Sequence, residues 1–458
     1  LQGGLNSTVL KFYGTVENTT VVDGFVIQGG GGLQFSGIPY TGRYGGGVQL
    51  QNASPTLRNL EITGNSVGST SVLGLGGGIM MNNSHAVLEN VHVHGNTGIY
   101  GAGMFINNST PTMTNCIIED NPVITDNQSY MPQGGGIHLV NSTVTMTNCE
   151  VSGHAGCEKG GGIFCSDASG LNMTGGLVNN NSAKLSGGGI HLSGGSLMLH
   201  GVQIDSNSNL PASTFMAGAG LFAESASVSL DSVMVTNNTG NAGGGAVFKT
   251  CSQADVSHSV FAGNVGQFYG GAIHFDNSTA GTIDGNTIVE NEATFSGGAG
   301  IYVSGSAPDM SNNIIAYNVG GASFANGVAA PAAPASFVCN DVFGNANADY
   351  SGMADPTGTG GNISADPLFC NQGEGNFNLG ADSPCSIANS GGCGLIGALG
   401  GDCGIGEVAV PDPDGSIPMA FKVEQNFPNP FNPSTTIRFA LPSAARTQVV
   451  IFDLAGRK

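Results

Sequence analysis

Apolar residues recur along this chain at the second and seventh places of a ten-residue phrase, with polar residues alternating between them. The phrase first reads Thr56-Leu57-Arg58-Asn59-Leu60-Glu61-Ile62-Thr63-Gly64-Asn65. It returns in windows ending at Asn96, Asn121, His154, Asn181, Asn207, Asn238, Asn264, Asn291, Asn318 and Asn345, about 28 residues apart. The second place holds Leu57, Leu88, Met113, Met146, Met173, Leu199, Leu230, Val256, Ile283, Met310 and Phe337. The seventh holds Ile62, Val93, Ile118, Val151, Val178, Ile204, Val235, Phe261, Ile288, Ile315 and Val342. Period-two alternation in short stretches bounded by Gly and Asn predicts strands. A second strand is predicted before each phrase, opened by glycine runs such as Gly45-Gly46-Gly47, Gly76-Gly77-Gly78, Gly160-Gly161-Gly162 and Gly187-Gly188-Gly189. These glycines are expected at tight corners, where positive φ or close backbone approach is needed. No stretch carries a helical period. A repeat of this length means stacked units that bury their apolar faces only against their neighbours. About twelve or thirteen turns of parallel strand, each rising ~4.8 Å, are expected.

The fifth place of the phrase supports the stacking. Asn286, Asn313 and Asn340 fall 27 residues apart there, and Cys116 and Cys149 hold the same column earlier. Amides at that spacing are predicted to form a hydrogen-bonded ladder inside a bend. On these columns the chain resembles the right-handed parallel β-helix superfamily that includes pectate lyases. Gly270-Gly271-Ala272-Ile273 and Phe261-Ala262-Gly263-Asn264 also resemble the GGAI and FxxN repeats of chlamydial polymorphic outer-membrane proteins. The resemblance covers roughly residues 1 to 400 and implies an all-β right-handed parallel β-helix solenoid. It is nearly silent on activity, because one fold hosts many functions. Residues 1–345 are assigned to the repeats and 346–403 to a Cys-rich C-terminal cap.

Composition narrows the partners. Charged residues are 9% of the chain, Gly is 77 of 458 residues and the net charge is −20. Only Lys11, Arg43, Arg58, Lys159, Lys184 and Lys249 are basic before residue 400. That excludes nucleic acid, whose binders need basic stripes, and argues against anionic membrane surfaces. No apolar run reaches the ~20 residues that span a bilayer. Thr8-Val9-Leu10-Lys11-Phe12 already reads as a strand, so the chain is expected to start within a turn of the coil.

Past residue 403 the character changes. Residues 404–418, with Pro411-Asp412-Pro413-Asp414-Gly415, read as a linker. Within residues 419–458, Asn426-Phe427-Pro428-Asn429-Pro430-Phe431-Asn432-Pro433-Ser434-Thr435-Thr436 is followed by Val449-Val450-Ile451-Phe452-Asp453. This segment resembles the C-terminal sorting and FlgD-like immunoglobulin modules of secreted bacterial proteins, about half of such a β-sandwich. The resemblance implies engagement of a secretion machinery and placement outside the cell or on the outer cell surface of a bacterium. The ten cysteines fit an exported protein. Cys370, Cys385, Cys393 and Cys403 cluster after the last clear turn and are expected to form disulfides.

Three constellations could carry function. In the strand after each glycine corner, the residue between two inward neighbours is predicted to point out. Those positions are read as Phe105, His138, Phe164, His191, Phe222, Phe248, His274 and Tyr302, preceded by Gln49 and Met80. A column of rings spaced about 4.8 Å apart could stack on sugars as a polysaccharide track; alternatively it is an external stack under loops that stiffens the coil. The second constellation is Glu61, His92, His94 and Glu119, outward residues of adjacent turns. They could hold a divalent metal or do acid–base work, or form an exposed ion-pair patch. No other cofactor is evident. The third is the inventory of β-helix enzymes. Arg58 near Glu61 and Glu89 is the one echo of a lyase base, and Gly153-His154-Ala155-Gly156 lacks the paired aspartates of the hydrolases. Lys249 falls near inward parity. The Asn-x-Ser/Thr sequons at Asn52, Asn108, Asn141 and Asn277 read as polar turn residues. The sequence therefore points to a secreted or surface-displayed coil with a binding or adhesion role toward polysaccharide. A polysaccharide lyase or glycoside hydrolase of the same fold is the alternative.

Overall fold

The computed structural model describes residues 1–35, 42–69, 71–125, 130–209, 218–277, 280–305, 307–321, 323–331, 334–401 and 403. It also gives the backbone of Lys422–Val423 and Phe439–Ala440, which pair antiparallel. The linker and sorting-module assignments otherwise lie outside the described residues.

The strand that follows each glycine corner joins one parallel sheet of 13 strands, from Leu10–Val16 through Val48–Ala53 and Ile79–Asn82 to Tyr350–Ser351. Both strands of each phrase belong to a second, 22-stranded parallel sheet. Thr56–Arg58, Val87–Glu89 and Thr112–Thr114 form one file of it, and Glu61–Thr63, His92–His94 and Ile117–Glu119 the other. Thr143–Ser152 and Gly170–Asn179 run through both files without a break. A shorter parallel ladder follows in the later turns, through Thr239–Gly240, Val265–Gly266, Glu292–Ala293 and Val319–Gly320. Among the described residues there is no α-helix and one 3-10 turn, Gln372–Glu374. No helix of the described residues is long and apolar enough to cross a membrane.

Both apolar columns point inward as expected. From Leu57 to Met310 and from Ile62 to Val342 their side chains are at most 2% exposed. They form one continuous core with the inward residues of the other sheet, such as Ile79, Met81, Ile190 and Leu192. Each buried aliphatic side chain contributes about 1.5–3 kcal/mol only because the turns above and below cover it.

The bends carry a device that the strand pattern did not reveal. The fourth place of the phrase adopts left-handed φ in every turn, as at Asn59 (52°), Asn90 (53°), Ser232 (56°), His258 (46°) and Cys339 (57°). This turns the strand and swings the fifth residue into the core. The amide ladder forms there as predicted: Asn286 Nδ2 donates to Asn313 Oδ1 at 3.0 Å, and Asn313 Nδ2 to Asn340 Oδ1 at 2.9 Å. A longer ladder runs at the tenth place from Asn65 to Asn345. Each backbone N–H and side-chain amide donates to the Oδ1 one turn on, as from Asn264 to Asn291 at 3.0 and 2.9 Å. His154 replaces one rung. Its Nδ1 donates to Asn181 Oδ1 at 2.9 Å, and its Nε2 accepts from Asn121 Nδ2 at 3.2 Å, a tautomer fixed by the neighbouring amides. The third glycine of each corner crosses this ladder closely. A Cβ on Gly78 would sit 2.7 Å from the Gly103 carbonyl oxygen and 3.1 Å from Asn96 Nδ2.

The described residues fall into two compact units, Leu1–Pro367 with Pro384–Leu399, and Leu368–Ser383 with Gly400, Gly401 and Cys403. The disulfides differ from the expected set. Cys370 bonds Cys403 inside the second unit, whereas Cys393 bonds Cys339, a residue of the last repeat. Cys385 stays a buried thiol that donates to Asp341 Oδ2 at 3.1 Å. Cys116 and Cys149 are likewise reduced and buried. The Cys339–Cys393 bond closes a separation of 54 residues, so converting both to Ser should cost about 2–4 kcal/mol. An unchanged urea midpoint in the double variant would show that the bond adds nothing.

Candidate functional site

The sheet register places Gln49, Met80, Phe105, His138, Phe164, His191 and Phe222 in one outward column, continued by Val247, His274, Tyr302 and Ala329. Phe248 does not belong to it. Counted from the glycine corner at Gly245, the outward residue is Val247, while Phe248 packs inward 5.1 Å from Phe275. The same count turns Lys249 outward, where its Nζ lies 2.6 Å from Glu224 Oε1.

The column is not on display. Phe105, His138, Phe164, His191 and Phe222 stack one on the next with centroids 4.9–5.2 Å apart, and none is more than 5% exposed. Pointing away from the main core did not mean reaching water. In the early turns the segments between phrase and corner fold back over the column, and Leu73, Leu75 and Ile99, with Tyr100 and Tyr130, build a second apolar cluster on it. None of these five rings presents an open face to a polymer. Burial holds the column's imidazoles neutral, with His138 and His191 pushed down to about 3 and His274 to about 4, and it pushes His154 of the amide ladder down to about 4.

At its far end the column opens. Tyr302 is half-buried, stacks on Tyr269 at 4.5 Å and meets the exposed Phe324 at 5.5 Å. Phe268 and Phe295 lie beside one another at 5.6 Å, with Phe295 61% exposed. These rings come from successive turns held in step by the backbone: Phe295 N donates to Gln267 O at 2.8 Å and Phe324 N to Ser296 O at 3.0 Å. Tyr302, Ser304, Phe324, Ala330, Pro331 and Ser351 line an adjoining cavity of about 420 Å³. An aromatic one to three residues before the glycine corner was the available signal: Phe268 and Tyr269 before Gly270, Phe295 before Gly297, Phe324 before Gly327.

The His–Glu patch has the expected register, Glu61 beside His92 and His94 beside Glu119. The contacts run diagonally instead. His92 Nε2 lies 2.7 Å from Glu119 Oε1 and His94 Nε2 3.1 Å from Glu61 Oε1, with the two imidazoles stacked at 4.2 Å. Each imidazole is thus occupied by a different carboxylate, and the four groups do not converge on one point. Among the described residues no group of three or more His, Cys, Asp or Glu is arranged to hold a metal ion. Glu150 accepts from Ser152 Oγ, and Ile117 separates it from His92 in the column.

The enzyme inventory is spent on structure. Arg58 grips Asp23 through Nε and Nη2 at 3.1 and 2.8 Å, with Glu89 its register partner on the next strand. His154 is buried in the amide ladder. A larger cavity of about 540 Å³ borders Arg43, whose guanidinium already donates to Leu5 O, Gly31 O and Asn6 Oδ1.

The right handed β-helix region family model matches residues 11–209 and 188–363. Neither a curated protein nor a solved structure matches the chain.

Proposed function

Since this chain belongs to the right handed β-helix family, we propose that it is a polysaccharide-binding coil whose site is the open aromatic cluster Tyr269, Tyr302, Phe324, Phe268 and Phe295. The observation that carries this reading is the cluster's exposure beside an apolar cavity, on a face whose earlier rings are sealed. Flat rings from successive turns suit the apolar faces of successive sugars, each stack contributing about 0.5–1.5 kcal/mol beyond area burial. An adhesion role fits better than catalysis, because the described residues of the site display no acid–base pair. The two disulfides support export to an oxidising compartment, and the sorting-type segment supports display at the cell surface.

Tyr302→Ala combined with Phe324→Ala should weaken polysaccharide binding about ten-fold. Both rings are partly solvated, so the fold should persist. Affinity electrophoresis against a panel of soluble polysaccharides reads the effect; full binding by the double variant would remove the cluster from consideration.

A further inference from the structure

We propose that this site takes an uncharged glycan, and that the imidazole of His274, beneath Tyr302, binds one of its hydroxyls. The inference rests on the binding reading above and names its ligand class. His274 and Tyr302 are partners on adjacent strands, with ring centroids 5.0 Å apart at 74°, and Tyr269 lies 6.0 Å from the imidazole. His274 is 2% exposed, yet neither of its ring nitrogens meets a hydrogen-bond partner among the described residues. The other imidazoles of the column leave one nitrogen unmet rather than two. His191 Nδ1 pairs with Ser186 Oγ at 2.8 Å, and His138 is held by the backbone of Gln133.

Leaving a buried polar group unmet is costly. Packing alone does not call for it, because Phe105, Phe164 and Phe222 fill the same column position in earlier turns with phenyl rings. What an imidazole adds is one donor and one acceptor, pointing to opposite sides of the ring. A sugar hydroxyl can meet either nitrogen, because it both donates and accepts; a carboxylate can only accept. Burial keeps His274 neutral, pushed down to about 4, which preserves the acceptor at ordinary pH.

The surroundings disfavour acidic sugars. Asp276 follows His274 on the same outward face and accepts from Ser304 Oγ at 2.9 Å, and Ser304 lines the cavity. Lys249, on the strand next to Asp276, is engaged by Glu224. The half-exposed Tyr302 ring is the cover: turning it toward the cavity uncovers the imidazole and leaves the ring to stack on the sugar.

The test compares the full chain with His274→Phe and His274→Gln, using neutral xylan and polygalacturonate as probes in affinity electrophoresis. The parent should bind xylan and not polygalacturonate. His274→Phe should keep the stack and the fold but weaken xylan binding about ten-fold, and His274→Gln, which retains a donor and an acceptor, should stay within about three-fold of the parent. Should the phenyl variant misfold, the imidazole ¹⁵N signals of His274 in the parent must shift on adding xylan. Unchanged affinity in His274→Phe, unmoved ¹⁵N signals or a preference for polygalacturonate overturns the proposal. The aromatic site survives those results if the Tyr302/Phe324 double variant still loses binding; a parent that binds no glycan sinks both.

Discussion

Lowering the pH from about 7 to about 4.5 is expected to remove several kcal/mol of stability from the solenoid. His138, His154, His191 and His274 are all buried, and burial holds them neutral, with pKa values depressed to about 3, 4, 3 and 4. In the unfolded chain each takes a proton near pH 6.5. The unfolded state therefore binds more protons at every pH between about 6.5 and 4, so the stability present above that window drains as pH falls through it. The loss approaches about 1.4 kcal/mol per pH unit for each histidine. Asp341 opposes the trend. Burial raises its carboxyl to about 6, so its protonation in the native state stabilises as pH falls from about 6 toward 4. One group does not offset four. The lowered carboxylates Asp205 and Asp231 contribute only at lower pH, near and below the usual carboxylate range. Calorimetric melting across this range should show a steep fall, and a flat profile would contradict the burial of the column. His154→Asn, which restores the missing rung, should reduce the slope by about a quarter.

Asn238→Leu is expected to cost about 3–6 kcal/mol although it barely changes side-chain volume. Asn238 Oδ1 accepts from Asn207 N at 2.9 Å and Asn207 Nδ2 at 3.0 Å, while its Nδ2 donates to Ile204 O and Asn264 Oδ1, both at 2.9 Å. The residue has no solvent exposure, so water cannot replace those bonds. Leucine would leave at least three buried groups unmet in the turns on either side. Guanidinium unfolding reads the effect. A loss below about 1 kcal/mol would mean that the ladder is decoration on an apolar core.

The core was legible because parallel turns repeat the same geometry: one register error would have exposed Ile62, Val93 and Ile118 together, and none is exposed. The amide ladder at Asn286, Asn313 and Asn340 was legible for the same reason. Alternation along a strand gives the direction of a side chain, not its contact with water. The rings at Phe105, Phe164 and Phe222 point away from the main core as read, yet all three are buried, Phe105 under segments whose variable length carries no period. Where Phe324 and its neighbours leave Tyr302 partly open, the same column reaches the proposed site. Two errors were local. Phe248 was taken one residue out of register, and the partner of Cys393 was sought among the cap cysteines when it lay at the left-handed corner held by Cys339. The diagonal pairing of His92 with Glu119 depends on side-chain torsions, which a strand register does not specify.

Hydrogen–deuterium exchange of the full chain, with and without saturating neutral polysaccharide, tests the binding site most directly. Added protection should concentrate in residues 266–271, 292–305 and 319–331, which carry the open rings, while the strands holding Phe105 to Phe222 stay unchanged. Protection elsewhere on the coil, or none with any polysaccharide, would contradict the aromatic cluster as the site.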